Sequence, residues 1–212
     1  MWYFISFFIG FVLIGYLSHQ TNWGHFWIDI VDGYVRLWCR FYHRFQHDVI
    51  ELPQQGAAIL AANHLSGLDP LLLVCATTRP LRFLIAIEEY HHPVLKYLYQ
   101  SMGCIPVDRS SRPEIALRAA LRALQKGEVI ALFPQGRIVL PNETNKPLKA
   151  GIKWLAQQAN CVIYPVHLDG ISGIGKVLEA VFLRSRAQLT VQPPLICDEN
   201  TDCLTTLKAL LY

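Results

Sequence analysis

From Gln54 onward, short apolar runs alternate with helix-forming segments, and this alternation limits the architectures open to the chain. Residues 57–62 form an apolar run ending in Asn63-His64 and read as a buried strand. Residues 70–78 read as a helix, with Asp69 as N-cap and Pro70 at the first helical position. The pattern continues with a strand at 81–87, a helix at 93–102, a strand at 104–107 and a helix at 113–126. That last helix opens on Pro113 and is closed by Gly127. A strand at 128–133, a long polar loop at 134–148, a helix at 150–159 and a strand at 161–167 follow. A late strand fits 187–192 and a last helix 201–211. Strands that alternate with helices imply an α/β sandwich with a largely parallel central sheet flanked by helices. No internal repeat or low-complexity segment interrupts the series.

The first 48 residues have a different character. They hold 15 of the 24 aromatic residues, and no Asp, Glu, Lys or Arg precedes Asp29. Residues 1–17 form an unbroken apolar run, about 26 Å long as a helix and close to the thickness of bilayer hydrocarbon. The run lacks the basic start and small-residue cleavage site of a signal peptide. It therefore reads as a membrane-inserted helix, either spanning or re-entrant. Within 23–45, Arg36, Arg40 and Arg44 recur every four residues and share one face of a predicted helix. That face suits lipid phosphates at a membrane interface, and equally a solvated face of a helix packed on the main domain. Residues 1–48 are thus expected to form a membrane-docking helical hairpin, and residues 49–212 the α/β domain.

Composition excludes some classes. At 52% hydrophobic and 17% charged residues the chain is not disordered. A net charge of +3 without a basic run gives no case for a nucleic-acid partner. The six cysteines form no CxxC pair and read as reduced, mostly buried thiols.

In a parallel sheet, ligands gather beyond the carboxyl ends of the strands, and those ends hold the candidate chemistry. His64 and Asp69 bracket Ser66-Gly67, a turn between strand end and helix start. A carboxylate on one imidazole nitrogen fixes the tautomer and leaves the other nitrogen free to deprotonate a hydroxyl. The chain contains its own control, His43 and Asp48 at the same separation. Positions five apart in a helix point about 140° apart, so that pair reads as two surface residues. Arg109, leaving a strand, suits a phosphate or else an ion pair with Asp108 or Glu114. Gly136-Arg137 places backbone N–H groups beside a cation, which suits an anion. Lys146, Lys149 and Lys153 add charge downstream and read as solvated surface unless the loop folds back. His43 and His47 have metal-ligand spacing on a helix but no third ligand, so no metal site is expected. His91-His92 reads as a loop, and His167 ends a strand.

Taken together, these strand-end motifs resemble the glycerolipid acyltransferase family, which contains the 1-acylglycerol-3-phosphate acyltransferases. His64 to Asp69 looks like its HxxxxD block. Gly103 to Arg109, GCIPVDR, is similar to its second block, whose arginine is associated with the acceptor phosphate. Phe133-Pro134-Gln135-Gly136-Arg137 resembles the third block, usually FPEGTR, with Gln135 where glutamate is typical and Arg137 where threonine is. Val162 to Val166 resembles the fourth block. The four span about half of the chain.

The resemblance implies acyl transfer from acyl-CoA or acyl-carrier protein to the free hydroxyl of a lysophospholipid, above all 1-acyl-sn-glycerol-3-phosphate. It implies no cofactor beyond the thioester co-substrate. His64 would be general base and Asp69 its orienting carboxylate. Arg109, Gln135, Gly136, Arg137 and Lys149 would bind the acceptor. The implied location is the cytoplasmic face of the inner (plasma) membrane. Two alternatives stand beside it: acylation of another lysolipid such as lyso-ornithine lipid, and a catalytically silent lipid-binding protein on the same fold.

Overall fold

The computed structural model describes residues 2–111, 113–140, 143, 147–198 and 202–212. Lys146 and the first residue of the expected 201–211 helix lie outside them. Seven strands form one sheet: β1 (Gln46–His47), β2 (Ala58–Ala62), β3 (Leu81–Ala86), β4 (Ile105–Val107), β5 (Val129–Leu132), β6 (Ile163–Asp169) and β7 (Gln188–Val191). Their order is β1-β7-β6-β2-β5-β3-β4. Every pairing is parallel except β6 with β7. The expected α/β architecture with a largely parallel sheet is what forms.

All five side chains of β2 are buried, because a parallel strand between two helical layers is covered on both faces. Its residues alternate between two cores. Ala58, Leu60 and Ala62 pack with Leu72 and Leu73 of α3 (Asp69–Cys75), and with Phe83 and Leu168. Ile59 and Ala61 face the other way. There they pack with Ala120 and Leu124 of α6 (Pro113–Gln125), Leu155 of α7 (Gly151–Ala159) and Leu207 of α8 (Cys203–Leu211). Short helices α4 (Ile87–Tyr90) and α5 (Lys96–Ser101) connect β3 to β4.

The amino-terminal hairpin forms, from α1 (Trp2–Ser18) and α2 (Phe26–Leu37). The helices cross where Gly15 meets Gly33: a side chain at Gly33 would collide with the carbonyl oxygen of Gly15. Phe11 stacks on Tyr34, whose hydroxyl donates to the Phe11 carbonyl at 2.7 Å. The aromatic side chains of α1 from Trp2 to Phe8 remain exposed. Among the described residues no helix is long and apolar enough to cross a membrane.

The arginine stripe is not what the spacing predicts. After α2 the chain continues as a π-helical turn, Trp38–Tyr42, and Arg44 has a left-handed backbone (φ 49°). Helical periodicity therefore ends before Arg44. Arg36 points inward and is buried. Its guanidinium is paired with Asp32 at 2.7 Å. It also donates to the carbonyls of Val74, Cys75 and Thr77, at the carboxyl end of α3. A cation there satisfies orphan carbonyls and complements the negative end of the helix dipole.

His43 also departs from expectation. Instead of facing water it is fully buried, with Nε2 at 3.0 Å from the Val181 carbonyl. Burial lowers its pKa below the usual histidine range, and the Val181 hydrogen bond opposes this in part. His47, expected to share its helical face, lies on β1. Gln46 and His47 pair with β7, and Cys39 and Phe45 belong to the core, so backbone and packing run unbroken past residue 48. The cysteines are not all reduced: Cys197 and Cys203 are joined in a disulfide, while Cys39, Cys75, Cys104 and Cys161 are free thiols. Burial pushes the Cys104 and Cys161 thiols up to about 11.

Candidate active site

At the carboxyl end of β2, the buried side chain of Asn63 donates to the Leu168 carbonyl (2.9 Å) and accepts from its N–H (2.7 Å). This ties β2 to β6 one residue before His64. The chain then turns, and α3 starts at Asp69 with Pro70 in its first turn. The expected N-cap role goes to Leu68 instead, because the Asp69 carboxylate reaches backward. Its Oδ2 accepts from the N–H groups of Leu65 (2.6 Å) and Ser66 (2.9 Å), and its Oδ1 from the Ser66 hydroxyl (2.9 Å).

That arrangement brings His64 and Asp69 together. Nδ1 of His64 lies 2.8 Å from Oδ2 of Asp69. The histidine side chain is 17% exposed and the aspartate 0%. The ring lies flat on Phe133, centroids 3.9 Å apart and planes 11° apart. The His64 carbonyl accepts from Val139 at 2.8 Å. Ring plane, backbone and one ring nitrogen are therefore all constrained, and Nδ1–H donation to the carboxylate leaves Nε2 as the acceptor.

The residues expected to bind substrate divide into three groups. Gln135, Gly136 and Lys149 come together after β5. Gly136 has φ 72° and closes a turn onto the Phe133 carbonyl (2.8 Å). The Lys149 N–H donates to the Pro134 carbonyl (2.9 Å), and its side chain packs where a Gly136 side chain would stand. The loop does fold back, so Lys149 is not merely solvated surface. Gln135 is buried; its Nε2 donates to the Tyr212 hydroxyl, and its Oε1 has no partner among the described residues. Arg137 stands apart from this cluster in its bonding, because its guanidinium is paired with Glu143 at 3.0 Å.

Arg109 lies beyond β4, at the edge of the sheet. Three strand spacings separate β4 from β2, about 14 Å. The alternative of an ion pair with Asp108 does not form. Hydrogen bonds from Ser111 and Ser110 occupy that carboxylate and hold it well below the usual carboxylate range. Arg109 itself is exposed. Two surface cavities, about 530 and 440 Å³, open at the opposite, amino-terminal ends of the strands, beside Cys161 and Gly127.

A family model described as Acyltransferase matches residues 44–169, which include β1 through β6 and the whole His64–Asp69 turn. The chain belongs to the Acyltransferase family. It is 34% identical over 122 residues to a probable 1-acyl-sn-glycerol-3-phosphate acyltransferase of Mycoplasma genitalium, covering 54% of this chain and 45% of that protein. It is 23% identical over 145 residues to the 1-acyl-sn-glycerol-3-phosphate acyltransferase of Bacillus subtilis, covering 68% of this chain and 69% of that one. The chain thus spans about half the length of the Mycoplasma relatives it matches. The crystal structure of the 1-acyl-sn-glycerophosphate acyltransferase PlsC from Thermotoga maritima shares the fold. Its TM-score is 0.67 at 18% identity, covering 99% of this chain and 89% of that chain.

Within this acyltransferase domain, sequence reasoning overlooked the supports of the pair. Ser66 sits between His64 and Asp69 and carries a hydroxyl of the right length, which was a usable signal. Asn63 is a polar residue at the end of an apolar strand and was another. Phe133 opens a strand-end block, but nothing local marks its stacking on His64, 69 positions away; Tyr212 reaches Gln135 from 77 positions away and carries no local mark.

Proposed function

We propose that this chain transfers a fatty acyl group from a thioester, acyl-CoA or acyl-carrier protein, to the free hydroxyl of a lysophospholipid. The first acceptor to try is 1-acyl-sn-glycerol-3-phosphate, which the names of its relatives indicate. The single observation that carries the reading is the 2.8 Å contact between His64 and a fully buried Asp69, at the carboxyl end of the central strand.

Nε2 of His64 takes the proton of the acceptor hydroxyl as its oxygen attacks the thioester carbonyl carbon. Asp69 stabilises the imidazolium that results. The C–S bond then breaks, and the departing sulfur takes the proton from Nε2 of His64, leaving as the free thiol and restoring the neutral imidazole. No covalent acyl-enzyme is required. Lys149, the Gly136 turn and Arg109 receive the acceptor phosphate, and Gln135, buried against Tyr212, holds the turn beneath it. The exposed aromatics of α1 seat the enzyme on the cytoplasmic face of the inner membrane, where such lipids reside.

One observation favours a second reading. Arg137 is engaged with Glu143, so the loop offers a phosphate one free cation fewer than its sequence promised. A phosphate-free acceptor such as lyso-ornithine lipid suits that loop. Radiolabelled acyl-CoA offered with a panel of lysolipids tests both. For the phosphate reading, Arg109→Ala raises KM about 10-fold or more for phosphate-bearing acceptors alone, the scale of a lost charge-assisted hydrogen bond. An equal effect on phosphate-free acceptors removes Arg109 from that role.

A further inference from the structure

Five large apolar residues in the segment 174–183 are exposed: Ile174, Val177, Leu178, Phe182 and Leu183. The backbone of the segment is nonetheless pinned on two sides. On one side, Trp38 Nε1 donates to the Val181 carbonyl (3.0 Å) and the Tyr42 hydroxyl to the Phe182 carbonyl (2.6 Å). On the other side the segment touches the turn between His64 and Asp69. Gly175 N–H donates to the Leu65 carbonyl (2.8 Å), and Gly67 N–H to the Lys176 carbonyl (2.9 Å). Gly67 lies so close that any side chain there would collide with the Val177 carbonyl. Held backbone with outward apolar side chains is a surface shaped to be covered.

The charges beside it identify the cover. Lys176, Arg184 and Arg186 are exposed within 174–186, against one carboxylate, Glu179, which pairs with Lys176 at 2.6 Å. Arg40 and Arg44 are exposed on the adjoining turn. Aliphatic side chains, amphipathic Trp and Tyr, and a surplus of cations match the layers of an anionic lipid surface.

We propose that segment 174–183 and the Trp38–Tyr42 turn beside it form a second membrane-seating surface, distinct from α1, on an anionic bilayer. Because the same backbone bonds to Leu65 and Gly67, seating this segment also holds the His64–Asp69 turn in register. This second part rests on the acyltransferase reading; the first does not.

A test uses the full chain with Leu178→Cys in a Cys161→Ser background, labelled with an environment-sensitive fluorophore. Vesicles of equal parts phosphatidylglycerol and phosphatidylcholine are added. The expected result is a blue shift, quenched by a lipid-borne nitroxide and weaker with phosphatidylcholine alone. A label that stays in water while one at Phe8→Cys shifts overturns the proposal. So does a shift that rises with protein concentration without vesicles, since a second copy is then the cover. For the coupling, Leu178→Ser with Phe182→Ser lowers turnover of vesicle-borne acceptor at least tenfold and spares a monomeric short-chain acceptor. Equal loss on both overturns the coupling. A chain that acylates no lysolipid yet shows the blue shift fails in its reaction and not in its seating.

Discussion

Two histidines in this chain stand five residues before an aspartate, and only one pair meets. His64 follows a strand and precedes a tight turn, so the backbone reverses and Asp69 comes within 2.8 Å. His43 follows a π-helical turn and leads through left-handed Arg44 into β1. Its ring bonds the Val181 carbonyl while Asp48 stays exposed. Identical spacing thus yields a hydrogen-bonded pair at a strand end in one place and a packing residue in the other. What differs is the backbone between, together with Ser66 and the N–H groups that secure Asp69.

The largest effect expected from that difference is at His64. His64→Ala should cost roughly 100- to 10,000-fold in acyl transfer, the range of a positioned general base, with unfolding midpoint nearly unchanged. Asp69→Asn comes next. It keeps the size but replaces an acceptor-only group, and turnover should fall about 100-fold with KM little altered. If Asp69→Asn instead acts on stability alone, the two pairs are alike after all. His43 should show its role in stability and not in rate. Its folded pKa is lowered, so below about pH 6.5 the unfolded chain binds the extra proton first. Stability is then full above that pH and declines as pH falls toward the folded value. His43→Leu should flatten part of this decline in denaturant titrations. Smallest of all, Asp48→Asn should change stability by less than about 0.5 kcal/mol and leave turnover untouched.

The alternation of strands and helices was legible because each period is local: β2, β5 and α6 fall within a residue or two of their expected bounds. The approach of His64 to Asp69 and the turn at Gly136 were legible for a similar reason, since strand ends and turns carry local marks; the packing of Lys149 against that turn was not. The hairpin's polar side was not. Periodicity placed Arg36, Arg40 and Arg44 on one face, but a single π-turn breaks that register, and the carbonyls that draw Arg36 inward lie 38 to 41 residues away. The partnership of Arg137 with Glu143 and the disulfide between Cys197 and Cys203 likewise depend on how loops close, which composition does not encode.

The Arg36 anchor has a mechanical consequence. It grips the carboxyl end of α3, whose first residue is Asp69, and a helix of 7 residues is only about 10 Å long. So short a rod transmits tilt with almost no flexing. Whatever angle the amino-terminal helices adopt against their surroundings is passed to the imidazole's partner at the other end of that rod, making the hairpin's posture and the seating of the Asp69 carboxylate a shared property of one small lever.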